Sequence, residues 1–201
     1  MNNPNQWETA LRTIPTVTSQ TNAQPQRKSI RLKGYDYSQA GAYFITICTK
    51  NRVHLFGEII NGEMMPNDAG VMLENQWVGL QQRFHTIQLH EYSVMPNHFH
   101  GIITIQRATT RVAPTLGDMV GAFKSLSTYA YIQGVKQSGW ARFQQTLWQR
   151  NYWEHIIRNA QVFEKISQYI RNNPAQWQYD QLNSRRGNPC GCPNHQEEWM
   201  T

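Results

Sequence analysis

Apolar positions along the chain follow two periods, and the change between them divides it into elements. The run "AYFITICTK" (42–50) is β-branched and aromatic, and predicts a strand ending at Lys50 and Asn51. "IQLHEYSVMP" (87–96) and "HFHGIITIQ" (98–106) predict two more strands around a Pro-Asn turn. Between them, "HLFGEIINGEMMPN" carries an Asn-Gly pair at Asn61 and Gly62, the signal of a small hairpin. Helical spacing appears in three places. Residues 68–83 predict a helix with Asp68 as N-cap and Val71, Met72, Trp77 and Leu80 towards the core. "LGDMVGAFKSLSTYAYIQGVKQ" (116–137) predicts a second, after a loop at 107–115. "LWQRNYWEHIIR" (147–158) is strand-like at least in part. "NAQVFEKISQYIRNNP" then predicts a third helix, with Asn159 as N-cap and Val162, Phe163, Ile166 and Ile170 as its stripe. Pro174 ends it, because proline disfavours helical backbone at the residue before.

Strands joined by hairpin-length turns and interspersed with helices predict an α+β fold, an antiparallel central sheet with helices packed on it. Residues 1–26, polar and without periodicity, read as a disordered or loosely docked leader. Residues 27–177 read as the one domain, and 178–201 as a polar tail. No internal repeat is visible.

Composition narrows the class of partner. Of 201 residues, 39% are hydrophobic, enough for one core with tails. Mean hydropathy is −0.64, so part of the chain is solvated. Nineteen Lys and Arg against thirteen Asp and Glu leave a charge of +6. A basic, aromatic-rich chain suits a polyanion, nucleic acid first. "RKSIRLKGYDYS" places Arg27, Lys28, Arg31 and Lys33 ahead of two tyrosines. Such a stretch either holds phosphates and stacks bases or simply leads, solvated, into the first strand. Of three cysteines, Cys48 reads as a small buried hydrophobe. "CGCPNH" (190–195) offers Cys190, Cys192 and His195 but no second half of a zinc site. No secretory leader or long apolar run is present, so the expected location is cytoplasmic and nucleoid-associated, with no membrane partner.

Two spacings carry chemistry. Side chains alternate along a strand, so His98 and His100 share one face while Phe99 points to the other. That pair can clamp a metal, stack on something, or sit idle at an edge. On the third helix, Tyr169 and Asn173 are four residues apart and share a face. Tyr169 is there either a nucleophile or a member of the buried stripe beside Ile166 and Ile170.

"VMPNHFHGIITI", "LGDMVGAFKSLSTYAYIQGVKQ", "LWQRNYWEHIIR" and "ISQYIRNNP", in that order, resemble the REP-associated tyrosine transposases. These are relatives of the single-tyrosine insertion-sequence transposases, and the likeness covers roughly residues 28–177. The resemblance implies a ferredoxin- or RRM-like palm, with the family's histidine–hydrophobic–histidine motif on His98, Phe99 and His100. It implies Tyr169 as nucleophile and Asn173 as the helical amide that joins the two histidines around a metal. Tyr152, in the strand-like motif, is a weaker rival for nucleophile. The cofactor implied is a divalent ion, Mg²⁺ or Mn²⁺, with Zn²⁺ the runner-up on ligand type alone. The activity implied is metal-assisted cleavage and rejoining of single-stranded DNA through a 5′-phosphotyrosine, on hairpins of REP-type palindromes. Lys124, Arg150, Arg158 and Arg171 are candidate phosphate contacts. The partner is then a single-stranded DNA hairpin, and the protein a monomer or homodimer. Two alternatives stay open: a hairpin-binding regulator that does not cut, and a rolling-circle initiator or relaxase. A zinc hydrolase built on H-x-H lacks a helical H-E-x-x-H base.

Overall fold

The computed structural model describes residues 36–37, 39–106 and 114–183. Contacts divide the chain into residues 1–30 and 31–201, and all the described residues belong to the second unit. Its centre is a four-stranded antiparallel sheet in the order β4-β5-β1-β6. The strands are β1 (Gly41–Cys48), β4 (Ile87–Met95), β5 (His98–Ile105) and β6 (Trp153–Ile157). A separate hairpin pairs β2 (Gly57–Ile60) with β3 (Glu63–Pro66). Its turn is the predicted one: Asn61 and Gly62 both take positive φ, 52° and 81°, as a two-residue hairpin turn matched to strand twist requires. The α+β expectation thus holds, with helices α1 (Asp68–Arg83), α2 (Leu116–Ser138) and α3 (Ala160–Asn172) packed on the sheet.

Strand alternation sorts the core into two layers. Tyr43, Ile45 and Ile47 of β1, with Phe99 and Ile103 of β5, are buried with Leu73, Trp77 and Leu80 of α1 and Met119, Val120 and Phe123 of α2. Phe44 and Ile102 point the other way and are buried with Ile157, Ile166 and Ile170, under α3. Gly101 is required where it stands, because a Cβ there would lie 2.6 Å from the Trp77 ring. Phe99 meets Trp77 and Phe123 at centroid distances of 4.6 and 4.9 Å, which pins β5 from beneath and leaves its other face to the histidines.

Two local expectations are corrected. The N-cap of α1 is Asn67, not Asp68: Asn67 has extended backbone and its side chain accepts from the Gly70 N–H at 3.0 Å. Asp68 is the first helical residue. Val71 is 45% exposed, and Ala69, Leu73, Trp77 and Leu80 form the buried stripe. The reason is angular: two residues turn the helix about 200°, so Val71 stands opposite Leu73. The strand character expected for part of 147–158 is found in β6. Ahead of it, Trp148 bridges Thr49 and the Gln149 N–H donates to the Cys48 carbonyl at 2.9 Å; the chain then curls around the Lys124 ammonium, which gathers the carbonyls of Gln149, Arg150 and Asn151 at 3.0, 3.2 and 3.2 Å. Leu147 and Trp148 are still buried, and Trp148 Nε1 donates to Ser127 Oγ at 3.0 Å.

The cap expected for α3 is the one observed. Asn159 caps α3 through the Val162 N–H at 2.8 Å. α2 starts with a reciprocal box between Thr115 and Asp118. The packed chain also runs past the boundary expected at 177. A 3-10 turn at Trp177–Tyr179 is followed by Leu182, only 1% exposed, whose carbonyl accepts from Asn97 Nδ2 at 2.7 Å.

Candidate active site

β5 begins at His98, so both histidines stand on its α3 face, and each is fully buried. Neighbouring polar groups aim them. His98 Nδ1 lies 2.8 Å from Asn97 Oδ1. The Asn97 amide is itself fixed, since its Nδ2 donates to the carbonyls of Arg52 (3.3 Å) and Leu182 (2.7 Å). Its Oδ1 can only accept, so His98 carries its proton on Nδ1 and presents a lone pair at Nε2. His100 Nδ1 lies 2.8 Å from Thr46 Oγ1, a hydroxyl that can donate or accept. The two Nε2 atoms converge, 3.0 Å apart.

Burial keeps both rings neutral. It pushes the His100 pKa down to about 3. His98 is lowered well below its ordinary value by burial, then by His100, Arg52 and His54, against a smaller raising contact from Asn173. Neutral imidazoles are the form that ligates metal.

Asp180, which sequence patterning assigned to the tail, completes the cluster. A ligand atom from each of His98, His100 and Asp180 lies within 4.8 Å of the other two. Asp180 Oδ2 is 3.7 Å from His98 Nε2, and because His98 is neutral this contact is not an ion pair. The other carboxylate oxygen accepts from the Leu182 N–H at 2.7 Å. Burial raises the Asp180 pKa, opposed by that N–H, by Arg52 and by Asn173.

Asn173 ends α3 and, against the bias expected before Pro174, keeps helical backbone (φ −56°, ψ −43°); it is 2% exposed. Its side chain stands close enough to influence both His98 and Asp180, yet its Oδ1 meets no donor at hydrogen-bonding distance. Asp180 Oδ2 is likewise without a hydrogen bond. Two buried, unanswered oxygens beside two converging nitrogens are a donor set that could hold a divalent cation. The 3.0 Å between the two Nε2 atoms matches two ligands about 2.1 Å from one ion at right angles.

Tyr169 comes to the same place from α3, partly buried. Its ring centroid is 5.5 Å from that of His100 and 6.0 Å from that of Phe44. Tyr152 lies instead in the α1/α2 layer, with the Lys124 ammonium 5.5 Å from its ring centre. The fold therefore gathers His98, His100, Asn173 and Tyr169, all from one chain.

The candidate cations fare differently. Arg171 is held by Glu91 at 2.7 Å and Glu164 at 3.0 Å, and Lys124 by its three carbonyls. Arg150 and Arg158 are exposed. Arg27, Lys28, Arg31, Lys33 and the Cys190–Cys192–His195 group lie outside the described residues. Patterning passed over Arg52, a buried arginine in left-handed backbone (φ 53°) whose Nη1 donates to the Gln181 carbonyl at 2.7 Å. It ties the segment carrying Asp180 to the site. Asn97 was legible only as a turn residue, and Thr46 only as one β-branched residue among several.

Residues 37–173 match the family described as Transposase IS200 like. A curated relative from Haemophilus influenzae, named an uncharacterized protein, is 40% identical over 176 residues, 78% of this chain and 92% of its own length. A solved REP-associated tyrosine transposase bound to a REP hairpin is 20% identical, covers 75% of this chain and 74% of its own, and superposes with a TM-score of 0.53. Among the described residues no helix is long and apolar enough to cross a membrane.

Proposed function

The chain belongs to the IS200-like transposase family, and on that premise we propose that it is a REP-associated tyrosine transposase. It cuts and rejoins single-stranded DNA at REP-type hairpins, with Tyr169 as the nucleophile. The observation that carries this reading is the Tyr169 ring 5.5 Å from His100, beside two imidazole Nε2 atoms 3.0 Å apart. The hairpin bound by the similarly folded structure supports the choice of DNA, and a chain that acts on DNA belongs with the nucleoid in the cytoplasm.

The Tyr169 oxygen attacks phosphorus, and the bond to the 3′ oxygen breaks. The phenolic proton passes to water, the departing 3′ oxygen takes one up, and a 5′-phosphotyrosine and a free 3′ hydroxyl result. A diester replaces a diester, so attack by another 3′ hydroxyl reverses the step and joins strands without ATP. His98, His100, Asp180 and Asn173 are the residues that would hold Mg²⁺ or Mn²⁺. Bound there, the ion offsets charge on the phosphate oxygens as they crowd towards the transition state. Asn97 and Thr46 keep the two imidazoles aimed, as partners behind metal ligands do. In this reading one chain supplies both Tyr169 and the histidines, and the protein acts as a monomer or homodimer.

The test is a labelled single-stranded REP hairpin incubated with the protein and Mn²⁺ or Mg²⁺. A denaturation-resistant adduct is expected from the unaltered protein and none from Tyr169→Phe. Tight hairpin binding without cleavage under either metal would instead identify a regulatory module.

A further inference from the structure

Strand register lays out a row of side chains leading away from the histidines. On the α3 face, His100 of β5 is opposite Thr46 of β1, and Thr46 is opposite Trp153 of β6. The adjacent row is Ile102, Phe44 and His155. Strands about 4.8 Å apart put the Trp153 backbone roughly 10 Å from that of His100. The Phe44 ring is the hub between them, with centroids 5.3 Å from His100, 6.0 Å from Tyr169 and 5.4 Å from Trp153.

Trp153 and His155 form a ledge on this row. Their rings are nearly parallel, 12° apart in plane with centroids 6.0 Å apart. Both are only partly buried, although Phe44 beside them is fully buried. Among the described residues β6 pairs only with β1, so the ledge stands at an open edge of the sheet. Glu154 alternates to the opposite face, and exposed Arg158 follows one residue beyond the strand. Burial and then Arg158 lower the His155 pKa, which leaves it a flat, neutral ring at neutral pH. A flat aromatic surface with a cation beside it suits an unpaired nucleobase and its phosphate.

We propose that Trp153, backed by His155, is the stacking platform for the unpaired base next to the phosphate that Tyr169 attacks. This rests on Tyr169 being the nucleophile. The platform sets where the strand lies across the site, and so which phosphate is presented to the phenol. It acts through a base face rather than a base edge, so it fixes register while tolerating different bases.

The experiment is a coupling cycle between protein and DNA, done in the Tyr169→Phe background so that binding is read without chemistry. The probe is a fluorescent single-stranded REP hairpin whose unpaired flank carries one abasic position at a time, with affinity read by anisotropy. With Trp153 present, one abasic position is expected to weaken binding by roughly 5- to 150-fold, the range of one base stacked on an aromatic ring. With Trp153→Leu, which keeps an apolar cover over Phe44 but no ring, the same abasic change is expected to cost less than about twofold. Trp153→Phe is expected to retain most of the sensitivity. Tyr129→Ala, altering a 67% exposed aromatic on α2 in the other layer, is the control expected to leave the pattern intact. Equal abasic losses with Trp153 and with Trp153→Leu would overturn the platform, even if Tyr169 still forms its adduct. Coupling at Trp153 without any adduct from the unaltered protein would overturn the nucleophile while the stacking site stands.

Discussion

Asp180 Oδ2 stands 3.7 Å from His98 Nε2, although eighty-two positions separate the two residues along the chain. One comes from a strand in the sheet and the other from the segment just beyond a 3-10 turn, and only tertiary docking brings them together. If these two and His100 hold one cation, Mn²⁺ should stabilise the protein by mass action, by about 2.7 kcal/mol at a hundredfold excess over its Kd. Asp180→Asn keeps the shape but removes the charge, and should weaken Mn²⁺ binding roughly tenfold or more. Calorimetric titration checks both, and an unchanged affinity would remove Asp180 from the ligand set.

Thr46 reaches His100 through a single hydroxyl contact of 2.8 Å. Thr46→Val keeps the β-branched shape in a central strand and deletes that contact. Mn²⁺ affinity is expected to fall about 10- to 100-fold, as when other groups that orient metal ligands are lost. Circular dichroism should show the sheet intact.

Acidification should destabilise the metal-free protein. The His100 pKa is about 3 in the fold against an ordinary 6.5, so the folded value is the depressed one. Below about pH 6.5 the unfolded chain takes up a proton that the folded chain refuses. Stability present above that pH is therefore lost as pH falls towards the folded value. Each such histidine contributes a slope of at most about 1.4 kcal/mol per pH unit. Urea midpoints with a chelator present, from about pH 7 to pH 5, should fall, and His100→Gln should flatten the slope. A flat profile in the unaltered protein would contradict the buried neutral pair.

The cap of α1 gives a test away from the site. Asn67→Ala is expected to cost about 0.5–2 kcal/mol of stability, because it strands the Gly70 N–H. Asp68→Ala should cost less, about 0.3–1 kcal/mol, through the helix dipole alone. Reversed magnitudes in urea denaturation would restore Asp68 as the cap.

The parts of the site that lie on regular elements were legible in the sequence. Period two put His98 and His100 on one face of β5 with Phe99 anchored on the other, and helical period put Tyr169 and Asn173 on one face of α3. What patterning could not supply was everything set by contact across the fold. Asp180 follows a short 3-10 turn with no apolar period to mark it, and its position depends on Arg52 and Asn97 holding the carbonyls of Gln181 and Leu182. Trp148 is buried outside the regular strand, bridged to Thr49, so its apolar character alone could not mark where β6 begins. Asn67 and Asp68 are both good caps, and only the backbone geometry distinguishes neighbours of equal propensity.

The most direct test of the central claim is to find which tyrosine carries the DNA. After reaction with a labelled hairpin and Mn²⁺, nuclease trimming and trypsin digestion leave one of two candidate peptides with a nucleotide mass added. Tyr169 falls in ISQYIR (166–171) and Tyr152 in NYWEHIIR (151–158). The addition is expected on Tyr169 in ISQYIR, with a 3′ hydroxyl on the released strand. Addition on Tyr152, or a 3′ phosphate on the released strand, would contradict it.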